Sequence, residues 1–447
     1  ARSYAPTIGG LADHLASLRT TPGYDRMLDW GKRMLPRTPV VGSIAYGAFH
    51  GFKKGIKDVL APQGLFEDLG LKYLGPVDGH DIAAVRHALR LARRYPGPVI
   101  VHALTEKGHG YPPAEADDGD RFHGISAIDP ATGKSVGASC ATWTSVFAEE
   151  IERLAAENPR LVGITAAMRE PVGLGPFARR FPDRVFDVGI AEQHAVTSAC
   201  GMAFAGLHPV VALYATFLNR AFDQLLLDAA LHRAPVTFVL DRAGVTGEDG
   251  ASHHGVWDLA LSGIVPGLRV AAPRDGTRLR ELLAEAIDCE DAPTLVRFPK
   301  GGLPEDIETC SRIGRLDVIA GNNAAEVLLV AVGATAASCV EAARILSGQG
   351  IGVAVVDPRW VQPISPELIA LARDHELVVT VEDGIRADGA GSLLSHELRR
   401  SGSSTVCVEL GLPCEFIEQG CRADLLAEAG LDPEGIAGEV RNRLESR

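Results

Sequence analysis

The sequence predicts a protein of three α/β domains, each a doubly wound sheet covered by helices. Short apolar runs of strand length alternate with helical patterns along most of the chain, which is typical of parallel sheets. The 447 residues correspond to about three domains at roughly 150 residues each. A hydrophobic content of 46% supplies side chains for several cores, while 23% charged residues keep their surfaces hydrated.

The first domain is predicted over residues 1–138. Residues 1–60 are irregular, and a strand–helix–strand unit begins near residue 71 with the segments LKYLG, DIAAVRHALRLARRY and PVIVHAL. A connection rich in Gly and Asp follows, and we expect it to separate this domain from the next.

The second domain is predicted over residues 139–317. Its apolar runs are LVGIT, RVFDVGI, PVVALYA, VTFVL, LRVAA and TLVRF, and helical patterns such as FLNRAFDQLLLDAALHR and RLRELLAEAI fall between several of them. We expect Val185, Phe186, Val188 and Ile190 to form a strand that runs into the core.

An uncharged run from Val196 to Leu218 is long enough to suggest a membrane span. Gly206 and the pair His208-Pro209 interrupt it near its middle, so helix, turn and strand is the better interpretation.

The third domain is predicted over residues 318–447. Its alternating segments are VLLVAVG, SCVEAARILSGQG, IGVAVVD, ELIALARDH and LVVTVED. They describe another α/β domain, joined to the second by a linker near residues 307–323.

Charge and cysteine content restrict the partners and the compartment. A formal net charge of −13 argues against nucleic acid or an anionic membrane as a partner. The eight cysteines are scattered without a CxxC pair, which favours reduced cysteines and a cytoplasmic location.

Polar and titratable residues accumulate where the strands of the second domain end. Ligands of open α/β sheets gather at the carboxyl ends of the strands, so these residues are candidates for a single site. The candidates are Glu192, Tyr214, Arg220, Asp241, Arg242, Asp249, His253, His254 and Lys300.

Glu192 is the most unusual of these residues, since it is an acid at the junction of an apolar strand and an apolar helix. A carboxylate near a helix start can simply favour the helix dipole, by about 0.3–1 kcal/mol. Arg220 and Arg242 can likewise be surface charges, and the His253-His254 pair a solvated loop. The coincidence of these residues at successive strand ends favours a site over the separate explanations.

Seven motifs resemble the 1-deoxy-D-xylulose-5-phosphate synthase family of the transketolase superfamily, and the resemblance runs through the whole chain. They are GPVDGHD (75–81), KGHGYPPAE (107–115), LVGITAAMRE (161–170), AEQHAV (191–196), DRAGVTGEDGASHHG (241–255), RWVQPIS (359–365) and AEAGLD (427–432).

The resemblance implies three domains of transketolase type: the C-terminal part of a diphosphate-binding domain, a pyrimidine-binding domain and a transketolase C-terminal domain. It also implies a thiamine diphosphate-dependent enzyme that condenses pyruvate with glyceraldehyde 3-phosphate, with loss of CO₂, and that forms a homodimer.

The resemblance gives roles to individual residues. Glu192 matches the glutamate that contacts the pyrimidine ring of the cofactor, where desolvation would favour a neutral acid able to donate a proton. Further roles implied are cofactor binding for Lys107, Tyr214 and Phe217, contact with substrate for Arg220, Arg242, Tyr214 and Lys300, and catalysis for Asp249, His253 and His123. For Phe217 a core aromatic is the alternative, and no role is expected for His254, His109 or His80.

The sequence departs from the family pattern in two places. Lys300 stands where an arginine is common, so it keeps the charge but loses the bidentate fork that suits phosphate. The family's GDG motif, which binds Mg²⁺ and the diphosphate, occurs nowhere in the 447 residues. We therefore expect these ligands in an N-terminal segment that precedes this chain, and activity only together with it. A non-catalytic half-subunit and a transketolase acting on sugar phosphates remain the alternatives.

Overall fold

The computed structural model describes residue 66 and residues 69–117, 121–125, 127–136, 140–321 and 325–446. It divides into two compact units, Ala1–Gly137 and Ala138–Arg447. The first unit contains two parallel strands, β1 (Lys72–Asp78) and β2 (Val99–Leu104), connected by helix α1 (Ile82–Arg93). The strand–helix–strand unit predicted near residue 71 is therefore present.

Helix α1 begins where Asp81 caps it. The Asp81 carboxylate accepts hydrogen bonds from the amides of Ala83 and Ala84, at 2.8 and 3.1 Å, which satisfies two of the free N–H groups of the first turn. A short helix, α2 (Pro112–Glu115), follows β2.

The second unit contains a seven-stranded sheet whose order is β13-β7-β8-β6-β5-β3-β4. Neighbouring strands are parallel except for the pair β13–β7. The strands are β3 (Leu161–Thr165), β4 (Val185–Asp187), β5 (His208–Tyr214), β6 (Thr237–Asp241), β7 (Arg269–Ala271), β8 (Thr294–Arg297) and β13 (Trp360–Gln362).

The helices of this seven-stranded lobe alternate with its strands. They are α3 (Trp143–Glu157), α4 (Gly175–Arg180), α5 (Glu192–Phe204), α6 (Ala215–Leu218), α7 (Phe222–Gln224), α8 (Asp258–Gly263) and α9 (Gly276–Ile287). Strands β3, β5, β6 and β8 are buried along their whole length or nearly so, because helices cover both faces of a parallel sheet.

A six-stranded sheet forms the other lobe of the second unit, in the order β15-β14-β11-β12-β10-β9. Its strands are β9 (Ser311–Ile313), β10 (Leu316–Ala320), β11 (Val327–Ala331), β12 (Val353–Asp357), β14 (Leu377–Ile385) and β15 (Val406–Leu412). Its helices are α10 (Ala336–Ser347), α11 (Pro366–Arg373), α12 (Ala390–Arg400), α13 (Arg422–Glu428) and α14 (Pro433–Glu445).

A buried charge cluster joins the two lobes of the second unit. The Arg274 guanidinium, which follows β7, donates from Nη1 to Asp317 on β10 at 2.7 Å and to Asp357 on β12 at 2.6 Å. All three side chains are buried, so loss of one would leave an uncompensated charge. Strand β13 adds to the contact, since it follows β12 in the chain but pairs with β7 of the other sheet.

Two expectations for individual elements are wrong in detail. The predicted strand at 184–190 ends at Asp187 and lies at the edge of the sheet, where Phe186 and Ile190 are exposed. The predicted helix at 217–233 is instead divided among α6, a 3₁₀ turn (Asn219–Ala221), α7 and a π-helical segment (Leu225–Ala230).

The uncharged run 196–218 forms the end of α5, a turn and β5, as predicted. Within the described residues, no helix is both long enough and apolar enough to cross a bilayer.

Candidate active site

The candidate residues of the second unit lie at the carboxyl ends of the strands of the seven-stranded sheet. Strands β8, β6 and β5 are neighbours, and Tyr214 pairs directly with Asp241 at the ends of β5 and β6. Because the strands are parallel, the residues that follow them emerge on the same side. The expected gathering of polar side chains at strand ends is therefore present.

Glu192 is the first residue of α5 and only 2% exposed. Its Oε1 atom accepts a hydrogen bond of 2.9 Å from Nη1 of Arg220. The Arg220 side chain is 49% exposed and lies over the Phe217 ring, with its central carbon 4.8 Å from the ring centroid. Within the part of the chain that the structure describes, this buried acid thus has a charged partner, Arg220, that reaches it from the solvent side.

Two aromatic rings extend the site from Glu192 toward the glycine-rich loop, which we define as residues 244–255. Tyr214 and Phe217 stack with centroids 5.7 Å apart, because the helical turn α6 directly after β5 places residues three apart on one side. The rings of Phe217 and His253 pack edge to face, with their centroids 5.8 Å apart. Phe217 therefore contacts two other candidate residues, Tyr214 and His253.

Arg242 lies over the Tyr214 ring, and the central carbon of its guanidinium is 3.9 Å from the ring centroid. Its backbone is left-handed, with φ of 63°, which turns the chain sharply after β6. The guanidinium Nη1 donates to the Pro171 carbonyl at 3.2 Å and lies 2.9 Å from Oδ1 of Asp241. One guanidinium nitrogen of Arg242 is thus directed toward groups of the protein itself.

Asp241 is fully buried beneath this arginine. Burial raises the pKa of the Asp241 carboxyl, while Arg242 and a hydrogen bond of 2.6 Å from Oγ1 of Thr144 oppose that shift. The contact with Thr144 could not be predicted from the sequence, because Thr144 lies 97 residues before Asp241.

Lys300, which follows β8, contacts the glycine-rich loop. Its Nζ atom donates to Oδ2 of Asp249 at 2.7 Å and lies 3.8 Å from Glu248. In the same loop, Nδ1 of His253 is 2.9 Å from the Ser252 hydroxyl. His254 also belongs to this loop, and its side chain is buried, although a solvated position was expected from the sequence.

Lys107 and His123 belong to the first unit and contact each other. Lys107 Nζ lies 2.5 Å from His123 Nδ1. Two residues expected on the diphosphate side of the cofactor are thus adjacent. Within the ranges that the structure describes, no group of three His, Cys, Asp or Glu side chains is arranged to hold a metal ion.

A buried acid and a pair of stacked aromatic rings together suit the binding of a planar ligand ring that contains nitrogen. The carboxyl can hold a ring nitrogen, and the aromatic faces can contact the ring itself. The arginines and Lys300 supply positive charge for an anionic substrate at the same edge.

Comparison with known proteins identifies the domains of the chain. Residues 139–305 match the model of the transketolase pyrimidine-binding domain, and residues 318–436 match the transketolase C-terminal domain. A model described as 1-deoxy-D-xylulose-5-phosphate synthase matches residues 1–105. The fold and site therefore define a protein of the transketolase class.

Individual relatives narrow the class to one family. The chain is 58% identical to the 1-deoxy-D-xylulose-5-phosphate synthase of Frankia casuarinae, covering 100% of this chain and 69% of the relative. It is 60% identical to synthase 1 of Kitasatospora griseola, covering 98% and 68%. The chain belongs to the 1-deoxy-D-xylulose-5-phosphate synthase family.

Solved transketolase structures share the fold. A chain described as a split-gene transketolase, inactive β4 tetramer, aligns with a TM-score of 0.60 and 28% identity over 68% of this chain and 98% of its own length. Transketolase from Campylobacter jejuni aligns with a TM-score of 0.59 over 87% of this chain and 69% of its own length, at 16% identity, which supports the fold alone.

Proposed function

We propose that the enzyme containing this chain condenses pyruvate with glyceraldehyde 3-phosphate, releases CO₂ and forms 1-deoxy-D-xylulose 5-phosphate with the help of thiamine diphosphate. When bound, thiamine diphosphate supplies the electron sink that allows the bond between the carbonyl and carboxyl carbons of pyruvate to break. The product would serve isoprenoid synthesis, and the synthesis of thiamine and pyridoxal, in the cytoplasm.

The burial of Glu192 is the observation that carries this proposal. The Glu192 carboxyl is 2% exposed at the start of a helix, and Arg220, which donates to one of its oxygens, lies over a ring of the stacked Tyr214–Phe217 pair. We propose that Glu192 holds the pyrimidine ring nitrogen of the cofactor and exchanges a proton with it. Tyr214 and Phe217 would line the same pocket.

Arg242 and Lys300 are proposed to bind the phosphate of the aldehyde acceptor, with Arg220 near the pyruvate carboxylate. Lys300 would exchange its bond to Asp249 for one to the phosphate, which frees the Asp249 carboxylate for the substrate. His253 is half-buried at the edge of Phe217 and would move a proton to or from a substrate hydroxyl.

Lys107 and His123 are proposed to face the diphosphate and the substrate. We further propose Mg²⁺ as the counter-ion of the diphosphate, with ligands outside the residues that the structure describes. Tight Mg²⁺-dependent cofactor binding by this chain alone would instead point to Asp118, Asp120 and Asp249 as ligands, of which Asp118 and Asp120 lie outside the described residues.

We also propose a homodimer. The seven-stranded lobe exposes apolar side chains on α5 and on the adjacent π-helical segment, with Phe204, Leu227 and Leu231 all roughly half exposed or more. These two elements are joined by a hydrogen bond of 2.6 Å from Thr197 to Asp228, so they form one continuous surface. A second copy of the chain would cover it.

A product assay tests the reaction directly. The enzyme containing this chain, supplied with thiamine diphosphate, Mg²⁺, ¹³C-labelled pyruvate and glyceraldehyde 3-phosphate, should give equal amounts of CO₂ and a five-carbon deoxyketose phosphate. A transketolase would instead transfer a two-carbon unit from a ketose phosphate without CO₂. Transfer without CO₂ release would replace the proposed reaction by that alternative.

A half-subunit that needs a separate N-terminal chain is the second candidate. The observation in its favour is the alignment with 98% of the split-gene transketolase chain, whose described form is inactive. Under this alternative the 447-residue chain binds thiamine diphosphate weakly and gains Mg²⁺-dependent affinity when the other chain is added. Calorimetry with and without that chain separates the two.

A further inference from the structure

The glycine-rich loop is closed at its base by two backbone hydrogen bonds. The amides of Gly244 and Gly255 each donate to the carbonyl of the other residue, both at 2.8 Å. Asp249 and His253 project from this closed loop, so their positions depend on what holds the loop in place.

His254 holds the loop from beneath and is buried with both ring nitrogens occupied. The Thr246 amide donates to Nδ1 at 3.0 Å, and Nε2 lies 3.2 Å from the Glu418 carbonyl. An amide N–H only donates and a carbonyl only accepts, so Nδ1 is the acceptor and Nε2 carries the proton. The imidazole therefore connects the loop to the six-stranded lobe as a neutral ring.

Two further hydrogen bonds and one apolar contact attach the loop to the six-stranded lobe. The Val245 amide donates to Oδ1 of Asp383 at 3.0 Å, and Arg422 donates to both the Val245 carbonyl and the Asp383 carboxylate. Val245 also packs into the core of the six-stranded lobe rather than that of the lobe to which it belongs in sequence.

The fit between the loop and this lobe leaves no room for larger side chains. A Cβ atom at Gly244 would lie 2.1 Å from the Asp383 carboxylate, and one at Gly247 would lie 3.1 Å from the Gly420 carbonyl. Both glycines have positive φ, so the loop follows a path that other residues rarely adopt.

We infer that the six-stranded lobe takes part in the reaction through the glycine-rich loop, with His254 and Arg422 as the positioning residues that fix Asp249 and His253. The roles of Asp249 and His253 in this inference rest on the proposed function. The anchoring of the loop by the six-stranded lobe rests only on the contacts above.

Three variants of the enzyme containing this chain test the inference. His254→Leu keeps the apolar volume but removes both hydrogen bonds. His254→Gln supplies an amide that can still accept from Thr246 or donate to Glu418. His375→Leu is the matched control, because His375 is also buried but its hydrogen bond is local. Its Nδ1 atom donates to the carbonyl of Leu371, four residues earlier, at 2.8 Å.

Hydrogen exchange of the loop amides measures the anchoring without any substrate. We expect the amides of Thr246 and Gly255 to exchange at least about tenfold faster in His254→Leu, and at the parent rate in His375→Leu. Unchanged exchange in His254→Leu would overturn the anchoring role. This measurement gives a result even if the parent enzyme makes no deoxyketose phosphate, which would refute the proposed function instead.

Kinetics measure the positioning role. A displacement of about 1 Å can cost about a hundredfold in rate, so kcat should fall about ten- to a hundredfold in His254→Leu. Proton exchange at the thiazolium carbon of the cofactor should stay at the parent rate, since Glu192 is not on the loop. His254→Gln should recover most of kcat. Equal losses in the Leu and Gln variants, or an equal loss in His375→Leu, would show a general structural effect and overturn the inference.

Discussion

At the scale of single residues, the site combines two buried carboxylates with arginine partners that are less buried, Arg220 at 49% and Arg242 at 17% exposed. Glu192 and Asp241 are both buried, and each lies beside one arginine, Arg220 and Arg242 respectively. Each arginine also lies over one ring of the Tyr214–Phe217 pair. The sequence predicted the members of this arrangement because they match family motifs, but not their pairing, which depends on contacts across the fold.

Arg242→Lys tests the proposed phosphate contact while it keeps the charge beside Asp241. Lysine loses the planar fork, and one charged hydrogen bond contributes about 1.5–3 kcal/mol. We expect KM for glyceraldehyde 3-phosphate to rise about tenfold or more, with KM for pyruvate unchanged. Steady-state kinetics with D-glyceraldehyde, which lacks the phosphate, are the control. Equal losses with both acceptors would contradict a phosphate contact.

Glu382 gives the six-stranded lobe a pH-dependent stability. Burial raises the pKa of this carboxyl to about 7, although the amides of Ala390 and Gly391 at the start of α12 donate to it. The folded state therefore binds a proton that the unfolded chain has lost between about pH 4.5 and pH 7. Its contribution to stability falls as pH rises through this window, by about 1.4 kcal/mol per pH unit.

Glu382→Gln should remove the part of the slope that Glu382 contributes, while Asp357, whose pKa burial raises to about 6, continues to contribute below pH 6. The glutamine amide cannot ionise, so above pH 7 the variant avoids the cost of a buried carboxylate. It also loses one of the two hydrogen bonds from the amides of Ala390 and Gly391, which shifts the free energy of unfolding by an amount that does not depend on pH. Urea unfolding at pH 5, 6 and 7 measures the slope independently of that offset. A variant with the same slope as the parent would show that another group titrates.

At the scale of elements, the sequence predicted the buried strands well and the edge strands poorly. Strands β3, β5, β6 and β8 have long apolar runs because both of their faces are covered. Strand β4 was predicted too long, because an apolar pattern does not distinguish a covered strand from a partly exposed edge. Strand β13 was not predicted, since its partner β7 lies about 90 residues earlier in the chain.

The π-helical segment and the burial of His254 were also missed for physical reasons. The sequence pattern at 217–233 is helical throughout, but the structure divides this segment into several helix types. The division begins where Phe217 stacks on Tyr214 and Arg220 bonds to Glu192. His254 contacts a carbonyl 164 residues away, so its burial could not be inferred from local pattern.

Gly255 tests the junction between β6, α6 and the glycine-rich loop. A Cβ atom there would lie 2.4 Å from the Arg242 carbonyl and 2.5 Å from Cβ of Ala215. We expect Gly255→Ala to destabilise the protein by about 1–3 kcal/mol, since backbone must shift to admit the methyl group. Thermal unfolding measures the change.

Gly263→Ala is the control for that substitution. A Cβ atom at Gly263, at the end of α8, would meet its nearest neighbours at 3.4 Å or more, which is ordinary contact. Its stability should stay within about 0.5 kcal/mol of the parent or rise, since Ala favours helix. Similar losses in both variants would refute a tight junction at Gly255.

At the scale of the whole molecule, the second unit combines two α/β lobes that share a buried charge cluster and a strand. The Arg274 cluster and β13 fix the lobes to each other, and the glycine-rich loop extends this contact to the proposed site. The alternation of strands and helices, together with the family motifs, predicted three domains, and that division stays a prediction, since the contacts group Ala138–Arg447 into one unit.

Leu231→Glu tests the proposed dimer. Leu231 is among the most exposed large apolar side chains within the described residues, at the end of the π-helical segment. A charge buried against a second copy would cost several kcal/mol, so we expect the dissociation constant of the dimer to rise at least a hundredfold. Sedimentation equilibrium measures it. Leu69→Glu in the first unit, where Leu69 is similarly exposed, is the control and should leave the mass unchanged. A parent that sediments as a monomer would contradict the dimer.

The role of Glu192 is the central claim, and proton exchange at the thiazolium carbon of bound thiamine diphosphate tests it most directly. In the enzyme containing this chain, Glu192→Gln should slow the exchange by about two to four orders of magnitude, because a glutamine amide cannot exchange a proton with the pyrimidine ring. Glu150→Gln is the matched control, since Glu150 is almost as buried and also bonds an arginine, Arg153, but on helix α3. The account predicts slow exchange in Glu192→Gln alone, with its fold retained by circular dichroism. Exchange as fast as that of the parent in Glu192→Gln would contradict it.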